Sequence, residues 1–324
     1  MKIGICTFSF TGACREAGIT PDPLDAFQLI DIATENGMDG VEFPLGNLGE
    51  HPGEKLDECR SLLSERGLAV AIDSPALMGD EMETALSQAS DVGAQSMRSV
   101  ISGILEGDRS KPPGPDWDAY LATVIDRLKA LVPAAEEAGV AIGIENHQDL
   151  TSADLVRISE EVESPFVGVT LDVGNALAVG EHPVSFAEAV APFIKNVHLK
   201  DYYVYLTEQG YRLVRCPFGD GAVPFDEVLA AVLRESPEAT LNIENGATSG
   251  RHIKLHENSF WQYYPAAQRE RMAPALALAK EHARPADEEW RTPHELEKDA
   301  QERAKYERAQ FEKSVENARA FQGV

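Results

Sequence analysis

Four residues of the right types recur at the ends of short apolar runs: Glu145 in AIGIENH, Asp172 in VTLDVGN, His198 in NVHLKD and Glu244 in LNIENG. They offer carboxylate oxygens and one imidazole, the donors that suit a single Mn, Mg, Co or Zn ion. One acidic residue closing a strand is ordinarily a helix cap or a loop ion-pair partner. Four in register differ, because an apolar mouth that gathers three carboxylates without a cation suffers like-charge repulsion. The intervals are 27, 26 and 46 residues; the first two are one strand-plus-helix unit each, and the third is a unit stretched by the loop 202–222. One divalent ion, manganese as the first expectation, is therefore expected at Glu145, Asp172, His198 and Glu244.

Side chains at i and i+2 on a strand share a face. His147 stands two residues after Glu145, and Lys200 two after His198. His147 can serve as an acid or base with a pKa near 7, or be a supporting loop histidine. Lys200 can hold a substrate oxygen or a developing oxyanion, or pair with the acidic ring. Glu145, His147, Glu244 and Lys200 are thus the candidate catalytic residues. Glu42, Arg98, Asn175 and Arg251 are the candidate substrate-binding residues. For Glu42 and Arg98 the alternative is an ion pair with each other. Arg251 can clamp an anionic substituent or be a solvated loop arginine. Trp261, Tyr263 and Tyr264 in SFWQYYP read as a hydrophobic lid or an interface, with a sugar-stacking platform as the lesser reading.

The elements that must position these residues follow from periodicity. Eight short runs read as strands, at 2–9, 40–45, 69–74, 96–101, 140–146, 167–173, 195–201 and 240–246. Between them, 21–37, 54–67, 80–93 and 116–139 show helical spacing and end in glycine, so helix, glycine and strand recur as a unit. That alternation makes an α/β fold, and eight such units close into a (β/α)8 barrel, whose functional residues sit at the C-terminal strand ends. An open doubly wound sheet would carry a GxGxxG after its first strand, and the segment after Phe8 lacks it. Residues 1–283 are read as the barrel and catalytic domain. Residues 284–324 turn to nearly continuous charge and read as a C-terminal helical arm starting at Thr292-Pro293-His294-Glu295. Leu296, Ala300, Ala304, Phe311, Val315 and Ala318 give it a narrow apolar stripe. Such a helix needs a partner surface, so a homo-oligomer formed through it is expected, with folding back over its own barrel as the alternative.

Composition sets the bounds. Against 29 Lys and Arg stand 54 Asp and Glu, a formal charge of −25, which repels phosphate backbones and anionic lipid, so neither nucleic acid nor membrane is expected as a partner. The balance also suits a high-salt cytoplasm. The four cysteines form no CxxC pair, which argues against a disulfide framework or zinc knuckle. No signal-type segment and no run approaching 18 apolar residues is present, so a cytoplasmic location is expected.

With IEN, LDVGN, HLKD and IEN in this order, the chain resembles the xylose isomerase-like barrel superfamily over residues 1 to about 280. That resemblance implies a sugar substrate and a divalent metal. Apurinic endonucleases of the superfamily place extra histidines where this chain has Asn175 and His198-Leu199-Lys200, so a repair nuclease is not implied. Ketose 3-epimerases place a histidine at the Asn175 position and an arginine after the strand-seven histidine, which differs from Lys200-Asp201-Tyr202 here. HLKD itself resembles the inosose dehydratases, and Gly219 and Gly221 in FGDGAVPF resemble a substrate loop of the superfamily. The expectation is an enzyme that removes a proton next to the carbonyl of a sugar or keto-sugar, through an enediolate held at the metal. Reprotonation gives an isomerase or epimerase. The alternatives are a lyase on an oxidised sugar (a dehydratase, a 3-keto-glycoside β-eliminase or a β-keto acid decarboxylase) and, more remotely, a non-catalytic sugar-binding module.

Overall fold

The computed structural model describes residues 2–10, 25–246 and 248–322. Eight parallel strands close into a barrel: β1 (Lys2–Cys6), β2 (Gly40–Pro44), β3 (Ala69–Asp73), β4 (Ser96–Ser99), β5 (Ala141–Glu145), β6 (Val167–Asp172), β7 (Ile194–Leu199) and, after the inserted hairpin β8 (Asp201–Thr207) and β9 (Gly210–Cys216), β10 (Thr240–Ile243). β10 pairs with β7 on one side and β1 on the other, which closes the ring. Each of the eight runs read as strands is one, and the (β/α)8 class holds.

The helices follow the strands in turn: α1 (Ala26–Glu35), α2 (Leu56–Arg66), α3 (Met82–Val92), α4 (Trp117–Ala138), α5 (Ser152–Val162), α6 (Pro183–Val190) and α7 (Phe225–Glu235). The helix expected at 21–37 starts at Ala26, where the Asp25 carboxylate accepts from the N–H groups of Phe27 and Gln28; residues 21–24 and Cys14 lie outside the described residues. Gly67 and Gly139 both close their helices at φ 68°, the left-handed turn that lets the chain re-enter a strand.

Strand alternation divides the barrel wall into two chemistries. Ile142, Ile144, Val169, Leu171, Val197, Leu241 and Ile243 are at most 1% exposed and belong to the apolar core. The alternate positions Glu42, Glu145, Asp172, Asn196, His198 and Asn242 are equally buried but polar, and Glu42 gathers bonds from Asn196, His198 and Asn242 across the barrel. Gly4 makes room for this interior: a Cβ there would lie 2.2 Å from Asn242 Oδ1.

The loop expected at 202–222 is instead mostly the hairpin β8–β9, extended by β11 (Arg251–Ile253) into a three-stranded antiparallel sheet. Strict alternation was hidden because both faces are covered: Tyr202, Val204, Tyr211 and Leu213 are buried on one side, and Tyr205, Val214 and Cys216 on the other. Gly219 and Gly221 donate their N–H groups to the Asp201 carboxylate at 3.1 and 2.8 Å, as do Tyr202 and Val223. This loop is wrapped on its own anchor, which accounts for its glycines without a substrate.

Beyond α8 (Ala266–Glu270) and α9 (Met272–Glu281), the chain crosses the hairpin's outer side, where Trp290 stacks on Arg212, and ends in α10 (Ala300–Gln322). The capping box at Thr292 forms, with Thr292 N on Glu295 Oε2 at 2.9 Å, but it opens only one turn. Glu297 adopts φ 52°, and the bonds Lys298 N to Pro293 O and Glu297 N to His294 O close a Schellman motif, so the long helix begins later, at Ala300. Its stripe is covered within the chain: Ala304, Phe311, Val315 and Ala318 are buried, Phe311 meets Phe10 at 5.1 Å, and Phe321 meets Phe218 at 5.4 Å. Arg319 bonds the carbonyl of Asn36 at the end of α1. The outward face is mostly polar, with Gln301, Glu302, Lys305, Glu312, Glu316 and Arg319 exposed. No helix among the described residues is long and apolar enough to cross a membrane.

Candidate metal and active site

Glu145, Asp172, His198 and Glu244 converge as their spacing implied. One ligand atom from each lies within 4.8 Å of the others, and all four residues are buried. Parallel register produces this: Asp172 pairs with His198 across β6–β7, and Glu145 pairs with Thr170 across β5–β6. Each residue keeps one buried polar atom with no hydrogen-bond partner: Glu145 Oε1, Asp172 Oδ1, and His198 Nδ1 and Glu244 Oε2, which stand 2.8 Å from each other without hydrogen-bond geometry. Leaving such an atom unsatisfied costs on the order of 1–3 kcal/mol, more for a charged group. Donors held on metal bonds of ~2–2.5 Å lie about 3–5 Å apart, so a divalent cation fits the set and satisfies all four at once.

The remaining atoms of the four are held from outside. Nε2 of His198 lies 2.6 Å from Glu42 Oε1, and the other oxygen of Glu42 accepts from Asn196 and Asn242 at 2.6 and 2.9 Å. A carboxylate on Nε2 fixes the ring and leaves Nδ1 as the free donor to a cation. Glu42, expected among the substrate-binding residues, is fully buried with both oxygens engaged by His198, Asn196 and Asn242, and its alternative pairing with Arg98 does not form. Asn175 is likewise engaged at both ends: Nδ2 donates to Asp172 Oδ2 at 2.6 Å, and Oδ1 accepts from Tyr202 OH at 2.8 Å. Both ends of its amide are thus bonded within the protein, one of them to Asp172.

Lys200 ion-pairs with Asp172 and, at 2.9 Å, with Glu244 Oε1. Burial opposes its charge, but the two carboxylates outweigh it and hold the ammonium protonated. Arg98 ion-pairs with Glu145, reaches Asp73 Oδ1 at 3.1 Å and lies over the Phe8 ring. Burial alone would raise the Glu145 carboxyl, yet Arg98 holds it down at about 2. Burial pushes Asp73 up to about 8. His147 follows the end of β5, and its Nδ1 is buried without a partner. Burial pushes this imidazole down to about 4 against the pull of Glu145, below the near-neutral value expected from sequence.

Several contributors had no legible signal. Asp73, Tyr202 and Arg215 reach the same mouth, Arg215 with Nη1 3.6 Å from Glu244 Oε1. Arg215 and Tyr202 lie on the unforeseen hairpin, so no strand-end position marked them. The asparagines of the two IEN segments are structural: Asn146 bonds both the carbonyl and the N–H of Asp172, and Asn245 bonds Ser314 of α10. Arg251 sits half-buried on β11, bonded to Ser249 Oγ at 3.0 Å. Trp261 and Tyr264 are buried, with hydrogen bonds to Leu255 O and Gly107 O, and belong to the core beneath the loops; Tyr263 stays at the surface side. A cavity of about 640 Å³ lies at the opposite end of the barrel, among Lys2, Ala69, Ser96 and Thr240, and none of the four donors lines it.

Residues 30–246 match the model of the family described as xylose isomerase-like TIM barrel. A curated relative, 3-oxo-isoapionate decarboxylase of Pectobacterium atrosepticum, is 25% identical over 232 residues, covering 70% of this chain and 78% of the relative. Among solved structures, 3-keto-D-glucoside 4-epimerase from E. coli superposes with TM-score 0.57 at 18% identity, over 87% of this chain and 99% of that one. A xylose isomerase-like TIM barrel protein from Mycobacterium smegmatis in complex with magnesium gives TM-score 0.55 at 18% identity, over 87% and 98%. At such identity the two structures speak for the fold, while the family match spans two thirds of the sequence. The chain belongs to the xylose isomerase-like TIM barrel family.

Proposed function

We propose that this protein is a divalent-metal-dependent enzyme that removes a proton next to the carbonyl of a sugar or keto-sugar. The observation that carries the reading is the set of four unpartnered buried donors, one each on Glu145, Asp172, His198 and Glu244, within 4.8 Å of one another. A divalent ion held there supplies Lewis acidity toward the substrate carbonyl and the neighbouring hydroxyl.

The chain's own residues do the rest. The unpartnered Nδ1 of His147 is an acceptor for the abstracted proton, because the ring stays neutral well below pH 7, and the carboxylates of Glu145 and Glu244 are the alternative acceptors. Lys200, protonated between Asp172 and Glu244, is placed to donate to oxygen that becomes negative as the C–H bond breaks. Arg98 orients Glu145 and closes the mouth together with Phe8. Return of the proton gives isomerisation or epimerisation. The decarboxylase relative favours a second reading, in which carbon–carbon cleavage of a β-keto acid yields the same enolate-like species.

The test is deuterium uptake from D2O by ketoses, inososes and 3-keto-glycosides, followed by NMR with the metal-loaded protein. Uptake at the carbon next to the carbonyl, lost with a chelator, is the expected result. Exchange that is unaffected by chelator, or none with any of these compounds, contradicts the reading.

A further inference from the structure

The small sheet over the mouth brings two arginines to one face. Arg251 pairs with Leu213, and Tyr202 pairs with Arg215, so Tyr202, Leu213, Arg215 and Arg251 point the same way, with the two arginines as diagonal cross-strand neighbours. This is the face that meets the four-donor set: Arg215 lies 3.6 Å from Glu244 Oε1, and Tyr202 bonds Asn175.

Arg215 has one long ion pair, with Glu244 at 3.6 Å, and the Tyr202 hydroxyl beside it; Arg251 has no carboxylate of its own. Glu244, the carboxylate nearest Arg215, already holds Lys200 at 2.9 Å and faces Nδ1 of His198 at 2.8 Å. Among the described residues Arg251 forms no ion pair, and its side chain bonds only Ser249. The acidic groups that act on it from a distance, Glu106 and Glu295, accept hydrogen bonds from the N–H groups of His252 and Thr292. Burial and the charge of Arg215 both work against the charge of Arg251. The largely buried Arg215 and the half-buried Arg251, with N–H donors to spare, form a fork for the oxygens of an anion, which relieves their repulsion.

Resting on the functional reading above, we infer that Arg215 and Arg251 clamp an anionic group of the substrate, so that the enzyme takes an acidic sugar, bearing a carboxylate or a phosphate ester, rather than a neutral one. Arg251 bonds none of the four donors, so it carries the selectivity and can be changed without removing a contact to them.

The test is calorimetric binding of two matched pairs, xylonate against xylitol and ribose 5-phosphate against ribose, to metal-free and Mn²⁺-loaded protein. At least one charged probe is expected to bind tenfold or more tightly than its neutral counterpart, and which one does so identifies the anion. Arg251→Gln should bring the pair to near parity, and Arg251→Lys, which keeps charge but loses the fork, should retain only part of the preference. Equal binding of charged and neutral probes, or a preference that survives in Arg251→Gln, overturns the clamp. Mn²⁺ affinity is measured in the same preparations: if Mn²⁺ fails to bind the wild type, the functional reading fails, while the anion preference of the metal-free protein still decides the clamp.

Discussion

Glu42 Oε1 stands 2.6 Å from Nε2 of His198, with the Cys6 thiol as a second donor to the same oxygen at 3.8 Å. The two residues are 156 positions apart, on strands that do not adjoin in the barrel order, and both are fully buried. This contact decides which nitrogen of His198 faces the other three donors.

Replacing Glu42 by Gln keeps the shape and removes the charge that orients the imidazole. Partners of this kind typically tune metal affinity by 10–100-fold. Glu42→Gln is therefore expected to weaken Mn²⁺ binding by about that factor, measured by calorimetry, with circular dichroism unchanged. Wild-type affinity in the variant would show that His198 needs no such support.

The His147 ring, pushed down to about 4 by burial, binds fewer protons in the native state than in the unfolded chain, where its pKa is near 6.5. Its contribution to stability is present above about pH 6.5 and is lost as pH falls through about 4, to an extent on the order of 3 kcal/mol. In metal-free protein, urea titrations at pH 7 and pH 4.5 should therefore differ less for His147→Asn than for the wild type. An unchanged difference would place the imidazole in solvent.

Phe311 joins the last helix to the barrel through Phe10. Truncating a buried phenylalanine to alanine costs ~3–5 kcal/mol. Phe311→Ala should lower the unfolding free energy by about that much for the whole barrel, in a single urea transition. A loss confined to helical signal, with the barrel transition unmoved, would mean that α10 is an independent appendage.

The strands and the four donors were legible because each lies at the end of an apolar run whose parallel register carries its neighbours to the same height. Asp172 opposite His198 is the clearest case. The hairpin was not legible, since Tyr202, Tyr205, Tyr211 and Val214 are buried on both of its faces and so lack a two-residue alternation. Arg215 was lost with it. The roles of Glu42 and Asn175 escaped for a different reason: residue type and strand position are the same for a side chain that faces a ligand and for one that braces its neighbour. Asp201 shows a third limit. Nothing in HLKD marks it as an anchor, yet four backbone N–H groups converge on its carboxylate, that of Tyr202 and three from a loop 18–22 residues later in the chain.

The proposed chemistry requires one divalent ion at the four donors. Crystals grown with Mn²⁺ and measured at the manganese absorption edge should give one strong anomalous peak, within about 2.0–2.5 Å of Glu145, Asp172, Nδ1 of His198 and Glu244, and the peak should vanish in Glu244→Gln. A peak elsewhere, or none at saturating Mn²⁺, would contradict it.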